Sequence, residues 1–221
     1  MIIKEMDKDK IDKKDHILDV AERVFSELGF DGASTRVISG EAGVNMAMLN
    51  YYFGSKEGLL LAVFERKIAS FQALLQNIGN DESISAWDKM EQCIDKYIDR
   101  VIVNNCFQIL LNREMSMNKR SDLTDKITGI LMVNVLEFRK IFEEGINTGL
   151  FHKDIDIELA TASIFGTKNY LINTPHISSL MLGHDISDDK FLEEKLKPRI
   201  KTYMKRLLKS YLLIEHDNHK S

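Results

Sequence analysis

Tyr51 and Tyr52 stand side by side at the end of a short helical run, and Lys56 follows in the first turn of what reads as a new helix. Phenolic hydroxyls and an ammonium bind anions. The start of a helix does the same, because its free amides point outward and its dipole favours negative charge. A cation is unfavourable there unless an anion faces it, so Ser55, the free amides and Lys56 form a candidate anion site. Arg36 adds a planar fork of donors suited to bidentate contacts.

Other chemistries are poorly supplied. Cys93 and Cys106 lie 13 residues apart in apolar helical patterns, with no second cysteine pair to make a zinc site or a disulfide framework. His216 and His219 fall in the polar tail EHDNHKS, and His16, His152, His176 and His184 have no partners at metal-binding spacing. There is no Gly-rich phosphate loop and no Ser or Cys in a nucleophile context. The expectation is no catalytic residue, no metal and no cofactor, with an α-helical enzyme whose site goes unrecognised as the alternative.

The elements that position these residues are helices. Hydrophobic residues make up 44% of the 221, enough for a normal core, and only two prolines and twelve glycines interrupt the chain. No window alternates as a half-buried strand does, so the fold class is all-α. The opening MIIKEMDKDKIDKKDH lacks the apolar core of a signal peptide, and no apolar run reaches bilayer length, so the expectation is a cytoplasmic protein without a membrane partner. Net charge is −4, and residues 1–56 hold eight Lys or Arg against ten Asp or Glu. Bulk charge therefore gives no argument for nucleic acid.

From Asp15, Ile17, Leu18, Ala21, Val24, Phe25 and Leu28 follow helical spacing up to Gly29. Ser34 can cap a two-turn helix, TRVISGEA, with Val37, Ile38 and Ala42 on one side. Asn45 can cap a third, MAMLNYYF, with Leu49 and Phe53 inward. The AGV connection between them has the form of a helix-turn-helix, its Gly allowing the reversal. A long helix starts after Ser55, and further amphipathic stretches cover roughly 84–103, 105–117, 122–148, 157–173 and 189–214, with a loop around PHISSLMLGHD.

The string GFDGASTRVISGEAGVNMAMLNYYFGSKEGLL, preceded by AERVFSELG, closely resembles the N-terminal DNA-binding module of the TetR family of bacterial repressors. The pieces occur in order and at fixed spacing over residues 14–62. The resemblance implies a three-helix module and a larger helical C-terminal domain that dimerises and binds an effector. The expected division is a flexible arm at 1–13, the DNA-binding domain at 14–60, an effector and dimerisation domain at 61–215, and a polar tail at 216–221.

On that reading the third helix lies in the major groove, and Tyr51, Tyr52, Thr35 and Lys56 contact phosphates. Arg36 is the candidate for bidentate contact to guanine. Asn45, Met46, Ala47, Met48 and Asn50 complete the DNA-facing set, the apolar members suited to thymine methyls and Asn50 to adenine. Many relatives carry tyrosine where Asn50 stands. The partners implied are a palindromic double-stranded operator, a second copy of the chain and a small, largely apolar effector. The alternative within this class is a DNA binder that no ligand gates.

In the C-terminal half, Phe107, Met115, Met117, Phe138, Phe142 and Tyr170 are candidates to line a pocket. Leu192, Leu196, Ile200, Tyr203, Leu207 and Tyr211 form one apolar stripe. With the 157–173 helix it suggests a four-helix dimer seam of Ile164, Phe165, Ile200, Tyr203, Leu207 and Tyr211. Pro198 lies inside this last segment, so the helix kinks or begins there.

Overall fold

The computed structural model describes residues 2–102, 106–116 and 121–214, with the side chains of 13–102, 106–115 and 122–214. Eleven α-helices follow one another in that part of the chain: α1 (Ile2–Gly32), α2 (Thr35–Glu41), α3 (Met46–Phe53), α4 (Lys56–Gly79), α5 (Ala86–Val101), α6 (Cys106–Ser116), α7 (Ser121–Asn147), α8 (Ile157–Asn173), α9 (Pro175–Leu182), α10 (Asp189–Phe191) and α11 (Lys197–Leu212). A π-helical turn, Leu192–Leu196, joins α10 to α11. The all-α expectation holds.

The chain forms two compact units, one of residues 1–70 with 105–132 and the other of 71–104 with 133–221. The first unit is larger than the module expected over 14–60, because α6 and the first half of α7 belong to it. Its core holds Ile17, Leu18, Ala21, Val24 and Phe25 of α1, Ile38 of α2, Leu49 of α3, and Leu59, Leu60, Val63 and Phe64 of α4. Phe107 of α6 packs edge-on against Phe64, their ring centroids 5.2 Å apart. Arg66 of α4 pairs with Asp15 and Asp19 of α1, and Lys67 pairs with Glu22 one turn on.

Residues 2–13 are helical, where a flexible arm was expected. The segment contains no Gly or Pro to stop α1 from extending. Two positions read as inward are exposed: Leu28 at 50% and Val37 at 40%. Each lies on the edge of its helix's apolar stripe, where spacing alone does not separate the buried from the solvent side.

The second unit is built on Trp87, Met90, Ile94 and Ile98 of α5, Phe138, Ile141 and Phe142 of α7, Ile164 of α8, and Ile200, Met204, Leu208 and Leu212 of α11. Ser85 and Asp88 open α5 with a reciprocal capping box. Lys201 and Lys205 of α11 reach Asp99 and Asp95 of α5, each at 2.6 Å. After α7 the chain turns through Gly149 (φ 72°), and Phe151 folds back onto Gly145, where a Cβ would stand 2.1 Å from the ring. Only glycine leaves room for that contact.

Two expectations for this unit change. The segment read as a loop around PHISSLMLGHD contains α9, which Pro175 opens at its first turn and Gly183 ends in the left-handed region (φ 71°). The final segment carries two apolar stripes rather than one. Leu192, Leu196, Ile200, Met204, Leu208 and Leu212 face the core in steps of four, while Tyr203, Leu207 and Tyr211 lie on the outer face at 55%, 39% and 42% exposure. Of the two alternatives foreseen at Pro198, the second is found: α11 starts at Lys197 with Pro198 in its first turn, directly after the π-turn.

Candidate nucleic-acid interface

Local chemistry sets the two short helices. Ser34 Oγ accepts from the Val37 amide at 3.1 Å and Asn45 Oδ1 from the Met48 amide at 2.8 Å, each capping the helix that follows it. Gly43 takes φ 64° in the connection and Gly54 takes φ 71° at the end of α3. Ser55 Oγ accepts from the Gly58 amide at 3.0 Å and so opens α4. α2 and α3 are too short to be stable alone, and Ile38 and Leu49, both fully buried, anchor them.

These anchors leave the sequence-predicted set largely outward. Arg36, Asn45, Met46, Ala47, Asn50 and Tyr51 are exposed, while Thr35, Met48, Tyr52 and Lys56 are half-buried. Tyr51 is 77% exposed, and the Tyr52 ring meets it edge-on at 5.3 Å. Tyr52 also sits 6.0 Å from Phe53, which is only half-buried and has the Lys14 ammonium 5.9 Å above its ring. The tyrosine pair is thus a rim of the module, with Tyr52 braced and Tyr51 free in solvent.

Lys56 differs from the bare anion ligand read in the sequence. Its ammonium donates to the Ala33 carbonyl at 2.7 Å and lies 4.4 Å over the Phe30 ring. That bond ties the start of α4 to the residue before the α2 cap, which brings Lys56 and Thr35 to one place. An ammonium has three donors, so two remain for a phosphate.

The charge pattern sorts the remaining cations. Arg23 is paired with Glu41 of α2 at 2.5 Å, and that carboxylate raises the Arg23 pKa above its ordinary value. Arg66 and Lys67 are spent on the acids of α1. Lys13, Lys14 and Arg36 enter no ion pair among the described residues. Asp15, Asp19, Glu22, Glu27 and Glu41 thus compensate cations within the unit, and Arg36 projects from α2 without an ion pair among the described residues.

The remaining predicted residues are divided between the two units. Phe107 is buried in the first unit, Phe138 and Phe142 are fully buried in the core of the second, and Met115 and Tyr170 are 38% and 52% exposed. Met117 and the tail at 216–221 lie outside the described residues. Of the dimer set, Ile164 and Ile200 are buried in their own core, Phe165 is half-buried with its ring 4.9 Å from that of Tyr97, and Tyr203, Leu207 and Tyr211 are exposed. Leu159, also on α8, is 65% exposed.

A family model of bacterial regulatory proteins, tetR family, matches residues 17–63, and one of the C-terminal region of YsiA-like proteins matches residues 64–179. The chain belongs to the TetR family. This TetR-family chain is 32% identical over 185 residues to the HTH-type transcriptional repressor NicS of Pseudomonas putida, covering 79% of the chain and 82% of that relative. It is 29% identical over 171 residues to the fatty acid metabolism regulator protein of Bacillus subtilis, covering 76% and 85%. Among solved structures, the transcriptional regulator FadR from Bacillus subtilis in complex with stearoyl-CoA shares the fold, with a TM-score of 0.70 and 23% identity over 87% of this chain and 96% of that one. As a TetR-family member the protein is a DNA-binding transcriptional regulator, and its relatives are named as regulators rather than enzymes. No helix among the described residues is long and apolar enough to cross a membrane.

Proposed function

We propose that the protein is a cytoplasmic, homodimeric repressor that binds a palindromic operator through α2, α3 and the start of α4, and that a small, largely apolar effector releases it. The observation that carries the reading is the uncompensated Arg36 on α2, beside a loop that Lys56 pins at Ala33. Arg36 reads guanine in this arrangement, Tyr51, Tyr52, Thr35 and Lys56 hold phosphates, and the exposed edge of α3 meets thymine methyls or adenine.

Dimerisation is supported by the outer face of α11. Leu207 and Ser210 border two open grooves of about 610 and 450 Å³, one reaching Tyr203 and Pro198 and the other reaching Leu159 and Tyr211. A ridge beside grooves is the self-complementary shape that a two-fold contact needs. A two-fold dimer also sums two half-site energies, which one small head cannot supply.

The test is an electrophoretic shift with DNA from upstream of the protein's own gene against unrelated competitor at about 150 mM salt. Preference for the upstream fragment is expected; equal binding to both would reject sequence reading. For the effector, a thermal-shift screen begins with stearoyl-CoA, the ligand in the FadR structure of similar fold, whose long acyl chain is apolar, and extends to apolar metabolites. A stabilising compound should weaken operator binding by a factor of about 5 to 150. Hits that leave operator affinity unchanged would leave a DNA binder without a gate.

A further inference from the structure

Before its short final turn to Gly32, α1 is interrupted at Gly29, which takes φ 72° and ψ 169°, values outside the helical region. The turn before it presents carbonyl oxygens at the negative end of the helix dipole, and residues 24–29, VFSELG, contain no Lys or Arg to meet them. Arg113 of α6 supplies that cation. Its guanidinium donates to the Ser26 carbonyl at 3.3 Å and to the Glu27 carbonyl at 3.5 Å.

Arg113 also fills the space over Gly29. A Cβ on Gly29 would stand 3.0 Å from Arg113 Nη1 and 3.2 Å from Cδ. The positive φ favours glycine at position 29, and a Cβ there would also press on Arg113. α6 falls within the segment matched by the C-terminal family model, yet Arg113, α1 and α2 all belong to the first compact unit.

Five residues after Gly29 comes Ser34, the cap of α2, followed by Thr35 and Arg36. The segment from Gly29 to Ala33 is held at both ends. Arg113 fixes the turn of α1 before Gly29, and Lys56 fixes Phe30 and Ala33. With its ends set, the connection leaves α2 little freedom to slide along or tilt away from α1.

We propose that Arg113 is a positioning residue for DNA reading: from α6 it caps α1, and through residues 29–33 it sets where Thr35 and Arg36 stand. Displacement of α6 would withdraw the guanidinium and loosen α2 without moving any DNA-contacting side chain directly. This inference rests on the reading of Arg36 as a base-contacting residue.

The experiment compares the wild type, Arg113→Ala and Arg113→Lys. Each is titrated with its own upstream fragment, with single base-pair variants of it and at several salt concentrations, and amide hydrogen exchange is followed in the free proteins. Arg113→Ala should bind roughly tenfold more weakly. It should lose discrimination at the same base pair as Arg36→Ala, keep the wild-type salt slope because Arg113 meets carbonyls rather than phosphate, and exchange faster over residues 29–36. Arg113→Lys, which can still reach a carbonyl, should recover part of the discrimination.

Wild-type discrimination and exchange in Arg113→Ala would overturn the proposal. So would a uniform loss for all DNA with a lowered salt slope, which would make Arg113 a phosphate contact. Should Arg113→Ala not fold, Arg113→Gln, which keeps the stem and one amide donor, is judged by the same criteria. A wild-type protein with no preference for any upstream fragment would refute the operator reading, and the exchange comparison on free protein would still report separately whether Arg113 holds residues 29–36.

Discussion

The Lys56 ammonium is bound to the Ala33 carbonyl, 23 residues earlier in the chain, at 2.7 Å. A lysine in the first turn of a helix opposes the dipole, and here a carbonyl oxygen and the Phe30 ring offset that cost before any DNA arrives. Lys56→Ala should therefore show two separable losses. Urea unfolding should reveal about 1–3 kcal/mol of lost stability, as for a hydrogen bond from a charged donor. The salt slope of operator binding should fall by about 0.9 for one phosphate contact. A slope unchanged alongside lost stability would confine Lys56 to holding the loop.

Arg36 and Tyr52 should separate by mutation. Arg36 is exposed and makes no ion pair among the described residues, whereas Tyr52 is half-buried between Tyr51 and Phe53. Arg36→Ala should cost about 1–3 kcal/mol at one base pair of each half-site and little elsewhere. Tyr52→Phe, which keeps the ring and removes only the hydroxyl, should weaken all sequences alike. Binding measured on a set of single base-pair variants decides it, and a uniform loss for Arg36→Ala would reject it as a reader.

The parts of this interface visible in the sequence were those fixed over a few residues. Ser34, Asn45, Gly43 and Gly54 act on their immediate neighbours, and both caps and both turns stand where their spacing put them. Partnerships across the chain were not visible. Nothing near Lys56 names Ala33, and nothing near Arg113 names Ser26 and Glu27, because those contacts arise only when α4 and α6 pack on α1. Periodicity also failed where a helix has two apolar faces. In α11 the steps of four through Met204 and the outer stripe through Leu207 overlap in sequence, and only packing tells them apart.

Leu207 provides the test of the dimer. It is 39% exposed between two grooves on α11, so a charge there is tolerated in a free monomer and becomes buried and unpaired in a dimer. Leu207→Glu should leave the helical spectrum and the monomer fold intact and shift light scattering at micromolar concentration from twice the chain mass towards 25.4 kDa. Ile200→Glu should instead unfold the second unit, since Ile200 is 4% exposed within its core. A wild type that scatters as a monomer would refute the dimer outright.

Lys168 of α8 gives a prediction in pH. Its side chain is 1% exposed, its ammonium lies 3.2 Å from Asn169 Oδ1, and burial pulls its pKa down to about 8. In the unfolded chain the same group titrates near about 10.4. Between these values the unfolded chain holds more protons than the folded one, so stability rises with pH through that interval. Below about 8 both forms are charged, and the folded protein carries the full cost of burying an ammonium. Lys168→Met keeps the unbranched stem and removes the charge. It should be more stable than wild type at pH 7, by on the order of 1–3 kcal/mol, and the difference should shrink as pH climbs from 8 towards 10.4 because the wild-type lysine becomes neutral in both states. Urea unfolding of the two proteins at pH 7, 8, 9 and 10 measures it. If Lys168→Met is instead less stable by the same amount at every pH, the ammonium's contacts outweigh its desolvation and the depressed pKa is wrong.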